Sequence, residues 1–462
     1  MSRYFYWYVA LAVLLGNPLN ALAATDDDLQ AIREQIQQLK QNYEQRISQL
    51  EQRLQQAEAN SRQAESIAAQ AQAAAQQPTR SGAVATSSES SFNPAVSLIL
   101  SGTYGQFKQD TAVAATGFAM NANNPGYTQG FSLKESELSI AANIDPQFRG
   151  AATFALAPAG GISVENAFVQ SSALGNGLNL KMGRFFSGLG YLNEQHAHAW
   201  DFVDQPLVYR VLWDNQIGED GLQLKWLAPT DMFVEVGGEL GRGRGFPGTD
   251  RQNKNGAGAG VLFAHIGDDI GIEHSWRAGL SLHETRRVNA VSTGVPDLLN
   301  TAGGVSNSFS GDSRTAGLDF VWKYAPNGNL RERSLKLQGE YFRREESGLL
   351  TYNLATTDSY AVTQSGWYLQ GVYQFMPNWR SGLRYDQLDP GIAAVGARIA
   401  GNVIGNYAFN PSRLTWMMDY SPSEFSRLRL QLTRDDSRQG LPDNQLFLQY
   451  IMSLGAHGAH QY

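Results

Sequence analysis

The chain has 462 residues, a formal net charge of −7 and no cysteine. The absence of cysteine excludes a disulfide framework, a thiol nucleophile and a thiolate metal site. The net charge is modest and the sequence contains no basic patch, which argues against nucleic acid as a partner.

The first residues are typical of a secretory signal peptide. A single positive charge at Arg3 precedes an apolar run that ends in the small-residue signal Ala21-Leu22-Ala23. We expect residues 1–23 to be removed, so that the mature protein leaves the cytoplasm. After this run, no apolar stretch reaches the roughly 18–20 residues that a spanning helix needs, which excludes a helical inner-membrane protein.

Residues 24–77 are typical of a coiled-coil helix in the periplasm. Thr25 and Asp28 form a capping box, and from Leu29 to Leu54 apolar residues recur every three or four positions in an otherwise polar sequence. Because so polar a helix needs partner helices in water, the pattern favours association, with its isoleucines leaning toward three strands. A solvated helix without a partner is the alternative. Residues 78–94 are predicted to be a flexible linker.

From residue 95 to residue 462, apolar and polar residues alternate in one run after another. In one such run, Trp367, Leu369 and Tyr373 share a face. The runs have about nine to eleven residues and aromatic residues at their ends, as in tilted membrane-spanning strands flanked by aromatic girdles. We therefore predict an all-β fold, a transmembrane antiparallel β-barrel. A soluble all-β domain is the alternative.

The connections between these runs are alternately tight and long, which predicts sixteen strands with both chain ends on the tight-turn side. This is the topology of a bacterial outer-membrane barrel, and fourteen or eighteen strands are the alternatives. The predicted tight turns are 144–147, 174–177, 228–231, 267–270, 325–329, 376–378 and 421–424. The predicted long loops are 107–130, 157–161, 187–217, 241–257, 285–313, 346–363, 387–410 and 435–443.

A barrel of this size encloses water, and the face of the strands that points inward is polar. Arg380, Arg384, Arg427 and Arg429 come from nearly adjacent strands and predict a positive stripe on one wall. Ordinary solvation of the lumen is the alternative. The other predicted lumen residues are Glu137, Lys225, Arg277, Asp319, Lys323, Lys336, Glu340 and Asp419.

In its topology, the chain resembles the trimeric porins of Gram-negative outer membranes, whose third outside loop narrows the barrel. Porins with an N-terminal periplasmic coiled coil, such as the sucrose-specific kind, also match the helical segment. The resemblance implies a homotrimer in outer-membrane lipid, with residues 187–217 as the constriction loop. It also implies that acidic side chains of this loop face the arginine stripe across water. These acidic residues are Glu194, Asp201, Asp204 and Asp214.

The sequence of residues 183–210, "GRFFSGLGYLNEQHAHAWDFVDQPLVYR", together with the ending "LQYIMSLGAHGAHQY", is similar to outer-membrane proteins associated with zinc limitation. Some of these are labelled TonB-dependent receptors. This chain has no recognisable energy-coupling box or plug domain, and its barrel is too short for 22 strands.

Imidazole and carboxylate groups suit Zn²⁺, so we predict a zinc site in the same loop. A polar loop whose histidines bond to the barrel wall is the alternative. The candidate loop ligands are His196, His198, Glu194 and Asp201, and a second histidine pair in the tail is His457 and His460.

No catalytic pattern is found. Neither a G-x-S-x-G nucleophile elbow nor a glycine-rich loop that opens a helix occurs, so we predict no enzyme and no required cofactor. The predicted function is a porin for passive diffusion of small hydrophilic solutes or ions, with zinc as an optional ligand. The alternatives are a zinc-binding uptake receptor and an envelope tether whose coiled coil contacts the cell wall.

Overall fold

The structure, a computed structural model, contains a closed antiparallel β-barrel. It describes residue 37 and, apart from eight gaps, residues 94–455. Except for residues 37 and 94, the predicted signal peptide, coiled coil and linker therefore lie outside the described residues. In the described part of the chain, no helix is both long and apolar enough to cross a membrane. The gaps are 110–114, 121–125, 135, 157–159, 172–173, 250–254, 293–306 and 403–407.

Sixteen strands form the barrel wall. The second strand is interrupted once and the others are continuous. The strands are β1 (Ala95–Gln106), β2 (Gly130–Leu133 and Ser136–Asn143), β3 (Phe148–Leu156), β4 (Ile162–Ser171), β5 (Leu178–Phe186), β6 (Gly218–Leu227), β7 (Phe233–Gly241), β8 (Ala259–Ile270), β9 (His274–Ser292), β10 (Asn307–Tyr324), β11 (Ser334–Tyr352), β12 (Thr356–Met376), β13 (Trp379–Asp389), β14 (Ser412–Ser423), β15 (Ser426–Asp436) and β16 (Asp443–Gly455).

Each strand pairs with its chain neighbours, and β1 closes the barrel by pairing with both β2 and β16. Closure removes the unpaired strand edges that an open sheet would expose, so the backbone hydrogen bonds of the wall are satisfied within the sheet. A two-residue strand, Ala394–Val395, pairs with β12 outside this circuit. The predicted sixteen-stranded barrel is thus confirmed.

The outside of the barrel carries a continuous band of exposed apolar side chains. On β12, Trp367, Leu369 and Tyr373 are all more than a third exposed, as the alternating pattern predicts. Such a band is unfavourable in water, and it matches the lipid-facing surface of a membrane-spanning barrel. We therefore treat the barrel as a membrane-spanning one.

Above this band the outer face becomes charged. Arg286 pairs with Asp312 and Arg314 pairs with Glu284, and these four side chains are more than half exposed. Arg343 pairs with Glu345 at the same level of β11. Exposed ion pairs of this kind need water or lipid headgroups around them. They mark the outer limit of the apolar band.

Four strands extend well past this limit and differ from the predicted length. β9, β10, β11 and β12 have 19, 18, 19 and 21 residues. Much of the predicted loops 285–313 and 346–363 is therefore strand, because cross-strand pairing continues beyond the apolar band. The predicted tight turn at 267–270 was also misplaced: those residues complete β8, and the turn follows at 271–273.

These observations predict a depth-dependent effect of charge on the outer face. Leu369→Arg places a cation in the middle of the apolar band and should lower the free energy of unfolding by about 2–4 kcal/mol. Leu349→Arg, on β11 beyond the charged level, should change it by less than about 1 kcal/mol. Urea unfolding in lipid vesicles, followed by tryptophan fluorescence, measures both. Equal losses in the two variants would contradict a membrane boundary between these positions.

Candidate functional site

Residues 187–217, which we call the lumen loop, leave β5 and return to the wall at β6. Every residue of this segment is buried or half-buried. It contains a short 3-10 turn, Ala197–Ala199, and one helix, α1 (Leu207–Trp213). Pro206 precedes α1, and Asp214 ends it in the left-handed conformation, with φ of 54°. A segment this buried, joined to the wall at both ends, must lie inside the barrel.

The apolar side of the lumen loop packs directly on the inner wall. All seven side chains of α1 are buried, and Trp213 meets Phe342 of β11 edge-on, with ring centroids 4.7 Å apart. Tyr209 also contacts Phe342, at 5.4 Å. The other buried wall residues of this cluster are Val261, Phe263, Tyr368 and Leu388. The helix therefore occupies the lumen instead of only lining it, and apolar burial contributes to its placement.

Asp204 is the centre of the strongest polar attachment. Its carboxylate accepts hydrogen bonds from Arg384 at 3.0 Å and Arg413 at 2.5 Å, and also from Gln431 and Tyr127. Burial opposes ionisation, but the guanidinium groups of Arg413 and Arg384 hold the pKa of Asp204 far below its usual range. A buried carboxylate with four donors is fully paired, which anchors the loop to β13, β14 and β15.

Asp201 forms a second attachment, closer to the tight-turn end. It contacts Lys336 of β11 and accepts a hydrogen bond from Arg380 of β13 at 3.2 Å. Arg380 also contacts Asp419 of β14 at 2.5 Å, and Asp419 accepts from Arg429 at 2.7 Å. Burial opposes ionisation here too, yet these cations hold the pKa of Asp201 well below its usual range.

Two further attachments hold the first part of the loop. Lys225 of β6 donates to Glu194 at 3.0 Å; burial alone would raise the pKa of Glu194, but the Lys225 and Lys181 ammonium groups lower it to about 2. Glu340 of β11 accepts backbone hydrogen bonds from Tyr191 and Leu192 at 3.0 and 3.2 Å. The loop is thus held from opposite sides of the barrel.

The predicted arginine stripe is found near the loop, but its geometry differs from the prediction. The sequence predicts acidic loop residues facing the arginines across water. In the structure, Arg380 and Arg384 are in direct contact with Asp201 and Asp204. Arg427 lies 3.4 Å from the His198 carbonyl oxygen. Direct ion pairs replace the expected gap, because the loop reaches the wall on the side of β11–β15.

The two loop histidines meet carboxylates of the wall. His198 Nδ1 lies 3.0 Å from Glu137 of β2, and His196 Nδ1 lies 3.2 Å from Glu137 and 3.0 Å from Glu165 of β4. His196 Nε2 lies 2.9 Å from Asn166. Glu165 and Asn166 both point inward because a β-bulge opposite Thr153 adds one residue to β4.

The Glu137, Glu165 and His196 side chains could hold a metal ion, since their potential ligand atoms lie within 4.8 Å of one another. Burial alone would lower the pKa of His196, but hydrogen bonds with Glu137 and Glu165 raise it to about 10. Contacts of His196 Nδ1 with both carboxylates hold the cluster together.

The predicted ligands are therefore divided. His196 and His198 lie together, with their rings 5.7 Å apart, while Glu194 and Asp201 are paired with wall cations. Among the described residues, the grouping that could hold a metal takes its carboxylates from β2 and β4 instead. His457 and His460 lie outside the described residues.

Sequence reasoning missed Glu165 and Arg413. Arg413 shares the inward phase of Thr415 and Asp419 on β14, so the alternation could have indicated it. Glu165 is in phase with Ser163 but not with Asn166, because the bulge places Glu165 and Asn166 on the same face. Alternation read from the longer second half of β4 therefore assigns Glu165 to the outside.

Comparisons with known proteins place this chain only coarsely. No family model matches it. An uncharacterized protein of Aquifex aeolicus is 28% identical over 417 residues, which cover 83% of each chain. Among solved structures, similar barrels include the outer-membrane channel DcaP of Acinetobacter baumannii, with 12% identity, a TM-score of 0.47 and coverage of 79% and 99% of the two chains.

The anion-selective porin of Comamonas acidovorans has 11% identity, a TM-score of 0.45 and coverage of 78% and 99%. OmpT of Vibrio cholerae has 9% identity, a TM-score of 0.46 and coverage of 78% and 97%. At these values the similarities support no conclusion about the function of this chain.

The Asp204 attachment predicts a large stability effect from one substitution. Asp204→Ala leaves the buried Arg384 and Arg413 with Asp386 as their one shared carboxylate, at 3.1 and 3.4 Å, and should lower the free energy of unfolding by about 3–5 kcal/mol. Asp312→Ala breaks an ion pair with Arg286 that is largely exposed and should cost less than about 1 kcal/mol. Urea unfolding of both variants in the same vesicles gives the comparison. Similar small losses would show that Asp204 does not anchor the loop.

Proposed function

We propose that this protein is an outer-membrane channel through which small hydrophilic solutes or ions diffuse passively, with the lumen loop as its constriction. The closed barrel, its apolar outer band and its polar inner wall support this proposal. The observation that carries it is the lumen loop itself, which crosses the barrel and is attached to β2, β4, β6, β7, β9 and β11–β15.

In this proposal the buried ion pairs and the partly exposed charges have different roles. Asp204 with Arg384 and Arg413 holds the loop in place, because these groups are almost completely buried. Groups that keep partial exposure, such as Lys225 and Arg380, face the water that a solute crosses. Passage requires contacts favourable enough to admit the solute and weak enough to release it.

The assembly follows from the sequence prediction. We propose a homotrimer in outer-membrane lipid, with residues 24–77 as a periplasmic coiled coil that associates the three chains. The heptad pattern supports this part of the proposal. An envelope tether, in which the coiled coil contacts the cell wall and the barrel only anchors it, is the competing proposal.

Conductance in planar bilayers distinguishes a channel from a tether. The purified protein should give discrete open-current steps. The Asp204→Ala variant should show larger steps, by about twofold or more, because the loop loses its main attachment and the constriction widens. Asp312→Ala should conduct like the unaltered chain. A protein that inserts but passes no current in any of these forms would overturn the channel proposal.

A second candidate function is zinc binding, which the His196–His198 cluster favours. Two imidazoles and the carboxylates of Glu137 and Glu165 form a donor set that suits Zn²⁺ without thiolates. The Asn166 side-chain amide lies 2.9 Å from His196 Nε2 and helps to orient this imidazole. Zinc would be the cargo of an uptake receptor or an occupant of the pore.

Zinc titration calorimetry on the full-length protein in detergent tests this candidate. His196→Ala with His198→Ala should weaken zinc binding about tenfold or more, because two donors are lost. His457→Ala with His460→Ala should leave it unchanged if the lumen cluster is the site. His265→Ala, which alters a histidine paired with Glu235 on another wall, is the matched control. Unchanged affinity in the first variant would remove the lumen site.

A further inference from the structure

Five basic side chains form a second charged feature below the lumen loop. Arg277, Lys323, Lys336, Arg380 and Arg427, which we call the cationic shelf, lie on β9, β10, β11, β13 and β15. Each lies within four residues of the strand end at a tight turn. By the pairing register and the contacts described above, they face the lumen. The shelf thus follows one wall near the tight-turn mouth of the barrel.

On this wall the basic side chains are partly exposed and their acidic partners are buried. The side chains of Arg277, Lys336, Arg380 and Arg427 keep 18–27% of their surface accessible, and Lys323 is half-buried. The acidic partners lie behind them, with the side chains of Asp201, Asp319 and Asp419 at most 6% exposed. Water in this part of the lumen therefore meets cations, while the compensating carboxylates are hidden.

The register of the wall places like charges side by side. Lys323 lies directly opposite Lys336 on the neighbouring strand, so the two side chains share the inner face. Like charges in this arrangement repel each other and destabilise the sheet. Lys336 and Arg380 share Asp201, and Arg380 also contacts Asp419. Asp419 is shared in turn with Arg427 and Arg429, so basic side chains outnumber the carboxylates that they contact on this wall. An anion in the lumen would relieve this repulsion.

Two donors of the shelf also lack acceptors. Within the described residues, the buried Nε atoms of Arg277 and Arg427 have no hydrogen-bond partner. Buried N–H groups are normally paired, so these two guanidinium groups keep donor capacity that the protein does not use.

The opposite wall also carries cations on its inner face. Arg149, which is exposed, and Lys181, which is half-buried, lie in one register row there. Lys225 on the same wall contacts Glu194 of the lumen loop and Glu235, at 3.0 and 3.7 Å.

The shelf is bordered by a carboxylate on β8. Asp269 is exposed in the same register row as Ser275 and Lys323. Basic side chains therefore face the lumen on both sides near the tight turns.

We infer that the cationic shelf binds the carboxylate or phosphate groups of anionic solutes and makes the channel anion-selective. This inference rests on the proposed channel function and names its solute class. Cations on strands two apart are separated by about 10 Å along the wall, so a solute can exchange one for the next as it moves.

Reversal potentials across planar bilayers with a potassium chloride gradient test the inference. The unaltered protein should prefer chloride over potassium. Lys323→Gln with Arg427→Gln should lower the chloride-to-potassium permeability ratio by about twofold or more, because the exposed positive charge of the shelf falls. Arg286→Gln with Arg343→Gln removes two cations from the outer face and should leave the ratio unchanged. Open channels without anion preference, or equal shifts in both double variants, would overturn the shelf and leave the channel proposal standing.

Binding of inorganic phosphate gives a second readout that does not need current. Calorimetry on the full-length protein in detergent should detect phosphate binding, and the Lys323→Gln, Arg427→Gln protein should bind several-fold more weakly than the Arg286→Gln, Arg343→Gln protein. If the barrel is silent but this difference is found, the channel proposal fails and the anion site stands. If phosphate does not bind and no anion preference is seen, the shelf has no role in anion recognition.

Discussion

The interior of this barrel depends on ion pairs between Asp204 of the lumen loop and the guanidinium groups of Arg384 and Arg413. Removing charges from water is costly, so a barrel with inward-facing arginines needs a partner for them. Asp386 of the wall supplies one carboxylate to both arginines, and Asp204 of the lumen loop supplies the second. Two buried guanidinium groups need both carboxylates, so the wall and the loop together complete the charge balance.

This dependence separates the structural charges of the lumen from those that a solute can reach. The buried pairs hold the loop, while the cationic shelf and the histidine cluster keep partly exposed groups next to them. Since the loop is attached to strands all around the barrel, a shift of the loop would change the surroundings of both features. Anion passage and zinc binding are two proposals for the same lumen. They involve different walls, since the cationic shelf lies on β9–β15 and the histidine cluster contacts β2 and β4.

Much of the barrel could be predicted from the sequence because alternation with period two reports which face of a strand meets lipid. The inward placement of Glu137 and the arginines follows from the same phase. The bulge at Glu165 breaks the phase within β4, so alternation over the whole strand does not place Glu165 beside His196. The lengths of β11 and β12 could not be predicted either, because the alternation of side chains between the two faces continues in polar sequence above the membrane. Contacts of Asp204 depend on tertiary packing, which no local pattern encodes.

Because the strands differ in length, the outer rim of the barrel has an uneven height. Beyond the charged level at Arg343, β11 continues for nine residues to Tyr352, which for a tilted strand is a rise of about 20 Å. The strands from β3 to β7 have only nine or ten residues. A molecule arriving from outside therefore meets a strand wall that is higher on the side of β9–β12 than on the side of β3–β7.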